Sequence, residues 1–111
     1  MKLIEDAHSK LLAKSMDVYA IRQKITAANI ANIDTPGYKK LSVSFEEFLR
    51  RMSSDDNLNA VEPEIIESEA SPILEDEMME MADTQIRVQA IAKALRNNFE
   101  VLRSGITGRS Q

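Results

Sequence analysis

The chain has no cysteine and no tryptophan, and only one histidine. Without cysteine there is no disulfide, no zinc–thiolate site and no thiol nucleophile. A lone histidine, His8, cannot build a multi-histidine metal site. Aromatic residues make up 5% of the chain, which argues against a large mixed core. Long apolar runs are missing too. The longest uncharged stretch of the first helical region, residues 25–33, contains Thr26, Asn29 and Asn32. A membrane-spanning helix needs about 20 mostly apolar residues, so none is expected. The N-terminus becomes charged at Glu5 and Asp6 before an apolar signal core could form, so no cleaved secretory signal is expected.

What is present fits one small domain. The chain has 111 residues, 43% of them apolar and 29% charged, a balance that suits soluble, exposed helices. The formal net charge of −4 hides a segregation. Residues 46–83 carry a net of −11, residues 1–45 a net of +3 and residues 84–111 a net of +4. Such a split reads either as a solvated loop between basic helices or as patches that steer packing between copies or relatives. No basic patch with interleaved aromatics appears, so nucleic acid is not an expected partner.

Heptad spacing places Ile4, Ala7, Leu11, Lys14, Val18, Ile21, Ile25, Ala28 and Asn32 on one stripe. This is the seam of a helix packed along one partner. Lys14 can lift its ammonium out of the seam along its apolar stem. The helix should stop near Asp34, because Pro36 lacks an amide hydrogen and disfavours helical geometry at Thr35. Pro36 and Gly37 at the two central positions predict a type II turn over Thr35 to Tyr38. Leu41, Val43 and Phe45 alternate with Ser42 and Ser44, the period of an extended segment. Ser44 and Glu47 have capping-box spacing, and Phe45, Phe48, Leu49 and Met52 predict a short amphipathic helix. The acidic stretch from Ser53 to Ala70 reads as a flexible linker. Ser71 is placed to cap a last helix, with Pro72 in its first turn and Gly105 near its end. Its stripe is Leu74, Met78, Met81, Gln85, Val88, Ala92, Leu95, Phe99, Leu102 and Ile106.

The expected fold is all-α. An antiparallel two-helix hairpin or coiled coil pairs the N-terminal helix, within residues 1–34, with the C-terminal helix and tail of residues 71–111. Between them lie the turn, extended segment and short helix of residues 35–52 and the linker of residues 53–70, all in one structural domain. The packing and assembly residues are then Leu11, Val18, Ile21, Ile25, Met78, Met81, Val88, Leu95, Phe99 and Leu102. Apolar residues off the main seam, such as Ile30, Ile86, Ile91 and Val101, predict a pair that is marginal alone and packs on other subunits.

No catalytic constellation is present. His8 lies on a polar part of the first helix. Helix spacing spreads Glu75, Asp76, Glu77, Glu80 and Asp83 around the cylinder, so dipole compensation explains this cluster better than chelation of a divalent ion. Met78, Met79 and Met81 could form an adaptable surface, but two of them fall on the seam. Gly105 and Gly108 lack the Gly-rich run and Lys-Ser/Thr of a phosphate loop. Neither an enzyme, a cofactor, a metal site nor a small-molecule substrate is expected.

Residues Ala28 to Lys39 read Ala-Asn-Ile-Ala-Asn-Ile-Asp-Thr-Pro-Gly-Tyr-Lys. This segment resembles the N-terminal signature of the bacterial flagellar axial proteins, which include the rod and hook subunits. The Asp-Thr-Pro-Gly-Tyr version is most similar to the proximal rod members. Phe45 with Phe48-Leu49 continues the likeness, as do Glu77-Met78, Gln89-Ala90, Phe99, Leu102-Arg103 and Ile106. The resemblance implies a structural subunit of the proximal rod of the basal body. Such a subunit is exported by the flagellar type III apparatus without a cleaved signal, and it carries torque between motor and hook from a periplasmic position. The implied partners are copies of itself, other rod proteins, and components of the rod base, export gate and membrane ring. Asn29, Asn32, Asp34, Thr35, Pro36, Gly37 and Tyr38 would shape the exit of the first helix and its neighbour contacts. Two other readings stand beside this one: a different axial subunit, or a cytosolic helical chaperone or adaptor of the export machinery. Secretion separates the last from the others.

Overall fold

The computed structural model describes residues 2–44, 50 and 62–106, and the side chains of residues 8–44, 50 and 62–105. Helix α1 spans Lys2–Ala31, strand β1 Leu41–Ser44, strand β2 Glu64–Glu67 and helix α2 Leu74–Ile106. The protein is mostly helical and carries a small two-stranded antiparallel sheet.

No proline or glycine interrupts α1, and its end is built by Asn32. The Asn32 backbone N–H donates to the carbonyls of Ala28 and Asn29, and its side-chain amide reaches back to the same Ala28 carbonyl at 2.9 Å. The Ala28 carbonyl thus accepts twice from one residue, which holds Asn32 against the last turn of the helix. Thr35 to Tyr38 then turn the chain. Gly37 takes φ +77°, and the Tyr38 N–H donates to the Thr35 carbonyl at 3.2 Å. A positive φ at the third position is the geometry of a type II turn, and glycine adopts it without Cβ strain.

Strands β1 and β2 pair with Leu41 opposite Glu67 and Ser44 opposite Glu64. The ladder continues outward through Lys40 N–H to Ala70 O and Ser68 N–H to Lys40 O. This corrects two expectations: the fold is not purely helical, and part of the segment read as a flexible linker, Glu64–Glu67, is a strand. The reason is long-range. Residues 64–67 read Glu-Ile-Ile-Glu, all four are exposed, and their order comes from backbone bonds to β1, which sequence alternation does not reveal. The expected short helix over Phe45 to Met52, apart from Arg50, which is helical, and residues 53–61 of the acidic segment lie outside the described residues.

Helix α2 begins two residues later than the expected first position, Pro72. Its first turn closes with Glu77 N–H on Ile73 O at 3.0 Å, and Pro72 is buried ahead of it. At the other end the helix runs through Gly105 to Ile106, so Gly105 does not stop it. Contacts between α1 and α2 run in opposite directions along the two helices: Asn29 with Glu77, Gln23 with Gln85, Tyr19 with Arg87, and Ser9 with Asn98.

The apolar core is small. Val18, Ile25 and Val43 form it, with Ile21 and Leu41 packed against them and Tyr19 buried nearby. Fully burying one such side chain contributes about 1.5–3 kcal/mol, so this core is thin for a molecule with extents of 62 × 29 × 14 Å. Apart from Pro72, the other buried residues among those described are polar: Ser15, Thr26, Asn29, Glu77 and Thr84.

Candidate functional site: a buried polar junction and an exposed apolar face

The junction forms where the end of α1, the start of β1 and the first turn of α2 meet. Asn29 is 1% exposed and uses its whole hydrogen-bonding capacity. Its Nδ2 donates to the Leu41 carbonyl and to Glu77 Oε1, both at 2.9 Å. Its Oδ1 accepts from the Leu41 N–H at 3.0 Å and from the Tyr38 hydroxyl at 3.1 Å. An amide side chain has two donors and an acceptor with two lone pairs, so nothing of it is left unmet.

Glu77 is also 1% exposed. Its second oxygen, Oε2, lies 2.9 Å from Lys40 Nζ. That contact neutralises the carboxylate, but its angles fall outside those of a well-formed hydrogen bond, so the oxygen has a counter-ion without an aligned donor. Helix geometry explains the placement: Glu77 sits in the first turn, where a negative charge faces the positive end of the dipole. Dipole compensation was expected for the whole acidic cluster. Glu75 and Asp76 are exposed as that reading implies, whereas Glu77 turns inward and does a different job.

The motif residues divide. Asn29 and Tyr38 enter the junction. Asn32 is half-buried and caps α1, and its Oδ1 accepts from the Thr35 hydroxyl at 3.0 Å. Asp34, Thr35, Pro36 and Gly37 lie exposed on the turn. Lys40 and Glu77 were not singled out from sequence as junction residues. The signal that could have found them is a lysine just past the turn and an acidic residue in the opposing first turn, but only the three-dimensional meeting of the two gives it meaning.

The seam of α2 needs correction. Half-buried Met81, Val88, Leu95 and Leu102 face α1, in line with the stripe, but Met78 and Phe99 are 59% and 64% exposed. The inward positions between them are Glu77, Thr84, Ile91 and Asn98, each one residue before the expected Met78, Gln85, Ala92 and Phe99. The helix is therefore turned by part of the ~100° that separates successive residues. On α1, Val18 and Ile25 are buried and Ile21 is half-buried, while Leu11 is exposed. The side chains of Ile4, Ala7 and Ile106 fall outside the described set. With polar residues drawn inward, the outer surface of α2 keeps Leu74, Met78, Met79, Ile86, Phe99 and Val101 exposed.

The charge segregation is partly used within the chain. Lys14 pairs with Glu62, Arg22 with Glu80, Lys39 with Glu69 and Lys40 with Glu77. Each joins the basic first third to the acidic middle. Arg87 hydrogen-bonds to Tyr19 and to Asp83, which together push its already high pKa further up. Among the described residues, no group of acidic or histidine side chains is placed to hold a metal ion, and no helix is long and apolar enough to cross a membrane. Neither the junction nor the exposed face carries a nucleophile with a base beside it. Their chemistry is packing and recognition.

Comparison with known proteins gives this arrangement a family. The family of flagella basal body rod proteins matches residues 15–39, the stretch that runs from Ser15 through Asn29 to the turn. A flagellar basal body rod protein FlgB of Bacillus subtilis is 32% identical over an alignment of 108 residues, which covers 79% of this chain and 84% of that protein. The FlgB proteins of Borrelia hermsii and Salmonella typhimurium are 46% and 40% identical over 41 and 47 residues, spans of 30% and 34% of those proteins. The chain belongs to the FlgB family of flagellar basal body rod proteins. It is a structural protein of the basal body rod, not an enzyme, and it assembles with other rod and basal body proteins.

Proposed function

We propose that this chain is a subunit of the proximal rod, delivered by the flagellar type III export apparatus and assembled where the rod crosses the periplasm. In this reading α1 and α2 act as an antiparallel hairpin in the inner coiled-coil layer of the rod and pass torque from motor to hook. Its neighbours are further copies, other rod subunits, and components of the export gate and membrane ring. Leu11, Val18, Ile21, Ile25, Met81, Val88, Leu95 and Leu102 serve packing, and Met78 and Phe99 serve contacts between subunits. Asn29, Asn32, Asp34, Thr35, Pro36, Gly37 and Tyr38 shape the path of the chain out of α1.

One observation carries the reading: large apolar side chains, Met78, Met79, Ile86, Phe99 and Val101, stay exposed among the charged residues of α2 while Glu77 and Thr84 are buried. A subunit built to stand alone would cover more of that apolar surface, because exposed apolar side chains in such number mark an interaction site. The experiment is complementation of a strain lacking the chain with Met79→Glu/Ile86→Glu. The parent chain should restore motility and appear in isolated hook–basal bodies. The double variant should be made and exported but leave the rod unbuilt. A parent chain found only in the cytosol would instead favour a chaperone or adaptor of the export machinery.

A further inference from the structure

Two helices of this length have several nearly equivalent ways to meet. Both carry a seven-residue rhythm, and α2 offers two candidate inward stripes that share Met81, Val88, Leu95 and Leu102. One stripe adds Met78, Gln85, Ala92 and Phe99. The other, which the structure adopts, adds Glu77, Thr84, Ile91 and Asn98. Apolar burial alone favours the first, since it would cover Met78 and Phe99. Thr84 makes the point sharper: it is fully buried, and its hydroxyl has no hydrogen-bond partner. The adopted stripe is thus not the one that apolar packing would choose.

What the adopted arrangement has, and the alternative lacks, is the junction. Asn29 meets all four of its hydrogen-bonding needs only when Glu77 points at it, and Glu77 is neutralised by Lys40 from the same direction. Turning α2 to bring Met78 inward would separate Glu77 Oε1 from Asn29 Nδ2 and leave both groups short of partners. A buried polar network is costly when half satisfied, and a single buried polar residue can fix the register of paired helices.

We propose that Asn29 and Glu77, the latter neutralised by Lys40, are positioning residues that set the rotation of α2 on α1, and so hold Met78 and Phe99 outward for a neighbouring subunit. The purpose of holding them outward rests on the proposed function; the rotation does not, and it is tested without assembly. The junction would act at a distance, because α1 runs as one helix from Asn29 back to Ser9, twenty residues or about 30 Å away. There, Asn98 Nδ2 donates to Ser9 Oγ at 3.3 Å, while Phe99 points out.

The chain contains no cysteine, so paired cysteines report this rotation directly. The full-length protein would carry Ser9→Cys with either Asn98→Cys or Phe99→Cys, and disulfide formation would be followed by gel mobility. With the junction intact, the Asn98 pair should close about tenfold faster than the Phe99 pair, a ratio equivalent to ~1.4 kcal/mol. In an Asn29→Leu/Glu77→Leu background that preference should vanish or reverse, while helical circular dichroism is retained. A purely stabilising junction predicts the preference kept, and that result overturns the proposal. Equal closure of both pairs in the parent overturns it as well. Should the leucine variant not fold, Asn29→Asp decides: a carboxylate facing Glu77 should abolish the Asn98 preference, and its survival would refute the positioning role. Glu77→Gln keeps the acceptor for Asn29 and should keep the preference; its loss would also count against the proposal.

Discussion

At the turn end of the helix pair, five residues from three elements are tied together: Asn29, Tyr38, Lys40, Leu41 and Glu77. At the open end, the bond from Asn98 to Ser9 spans 3.3 Å beside a groove of about 600 Å³ lined by Leu95, Arg96, Phe99, Leu102 and Arg103. In the first region the Asn29 amide and the Glu77 carboxylate are buried. The second is an open groove in which charged Arg96, Glu100 and Arg103 flank apolar Leu95, Phe99 and Leu102. Such a subunit divides its tasks. Structure is specified where the chain reverses, by groups whose partners are unique. In the proposed reading, adhesion is left to the exposed apolar side chains of α2, which are largely indifferent to which apolar surface covers them. A monomer so divided gives up stability, because its larger apolar side chains wait for neighbours.

The sharpest way to break the contrast is at its turn end. Asn29→Ala should cost about 3 kcal/mol or more, since several buried polar groups lose a partner at ~1–3 kcal/mol each. Chemical or thermal unfolding of the full chain, followed by circular dichroism, measures it. A loss below about 1 kcal/mol would mean that water replaces the amide easily and that the turn end is no tighter than the open one.

Next in size is the turn itself. Gly37→Val should destabilise by about 1–3 kcal/mol, the cost of a strained φ at a β-branched residue. A Cβ at this position would meet nothing within 4 Å, so the penalty is one of backbone conformation and not of crowding. Gly37→Asn, which tolerates positive φ, should therefore recover most of the loss and restore swimming where the valine variant does not.

Smaller effects should come from the acidic segment. Glu62→Gln with Glu69→Gln removes the partners of Lys14 and Lys39. Both glutamates are largely exposed, and such ion pairs contribute about 0–1 kcal/mol each. The unfolding midpoint should fall slightly at low salt and not at all at high salt, where screening has already weakened the pairs. The smallest change should follow Asn98→Ala at the open end, about 0.5 kcal/mol, the low end for one hydrogen bond, because its part-buried bond to Ser9 is long at 3.3 Å.

These regions also differ in how well the sequence discloses them. The long helices were legible from heptad spacing, and the turn from Pro36 and Gly37, because both signals are local. The rotation of α2 was not. A stripe drawn through Met78 and Phe99 follows hydrophobicity, and hydrophobicity is a sound guide only when the folded chain is also the finished object. Here Glu77 turns inward to meet Asn29, forty-eight residues earlier, and no local pattern announces that pairing. Strand β2 escaped for the same reason. Glu-Ile-Ile-Glu has no alternation, and its order comes from a ladder to Leu41–Ser44. The charge split was visible in the sequence, but its partial use inside the chain, as in Lys14 with Glu62, needed the fold.

The inward turn of Glu77 onto Asn29 is what leaves Met78 and Phe99 free to face neighbouring subunits. A density map of the assembled rod, at a resolution that shows side chains, tests this most directly. Asn29 and Glu77 should be in contact within each subunit, with Met78, Met79, Ile86 and Phe99 covered by adjacent subunits. A map with Met78 and Phe99 turned onto α1 of their own chain, and Glu77 facing outward, would contradict it.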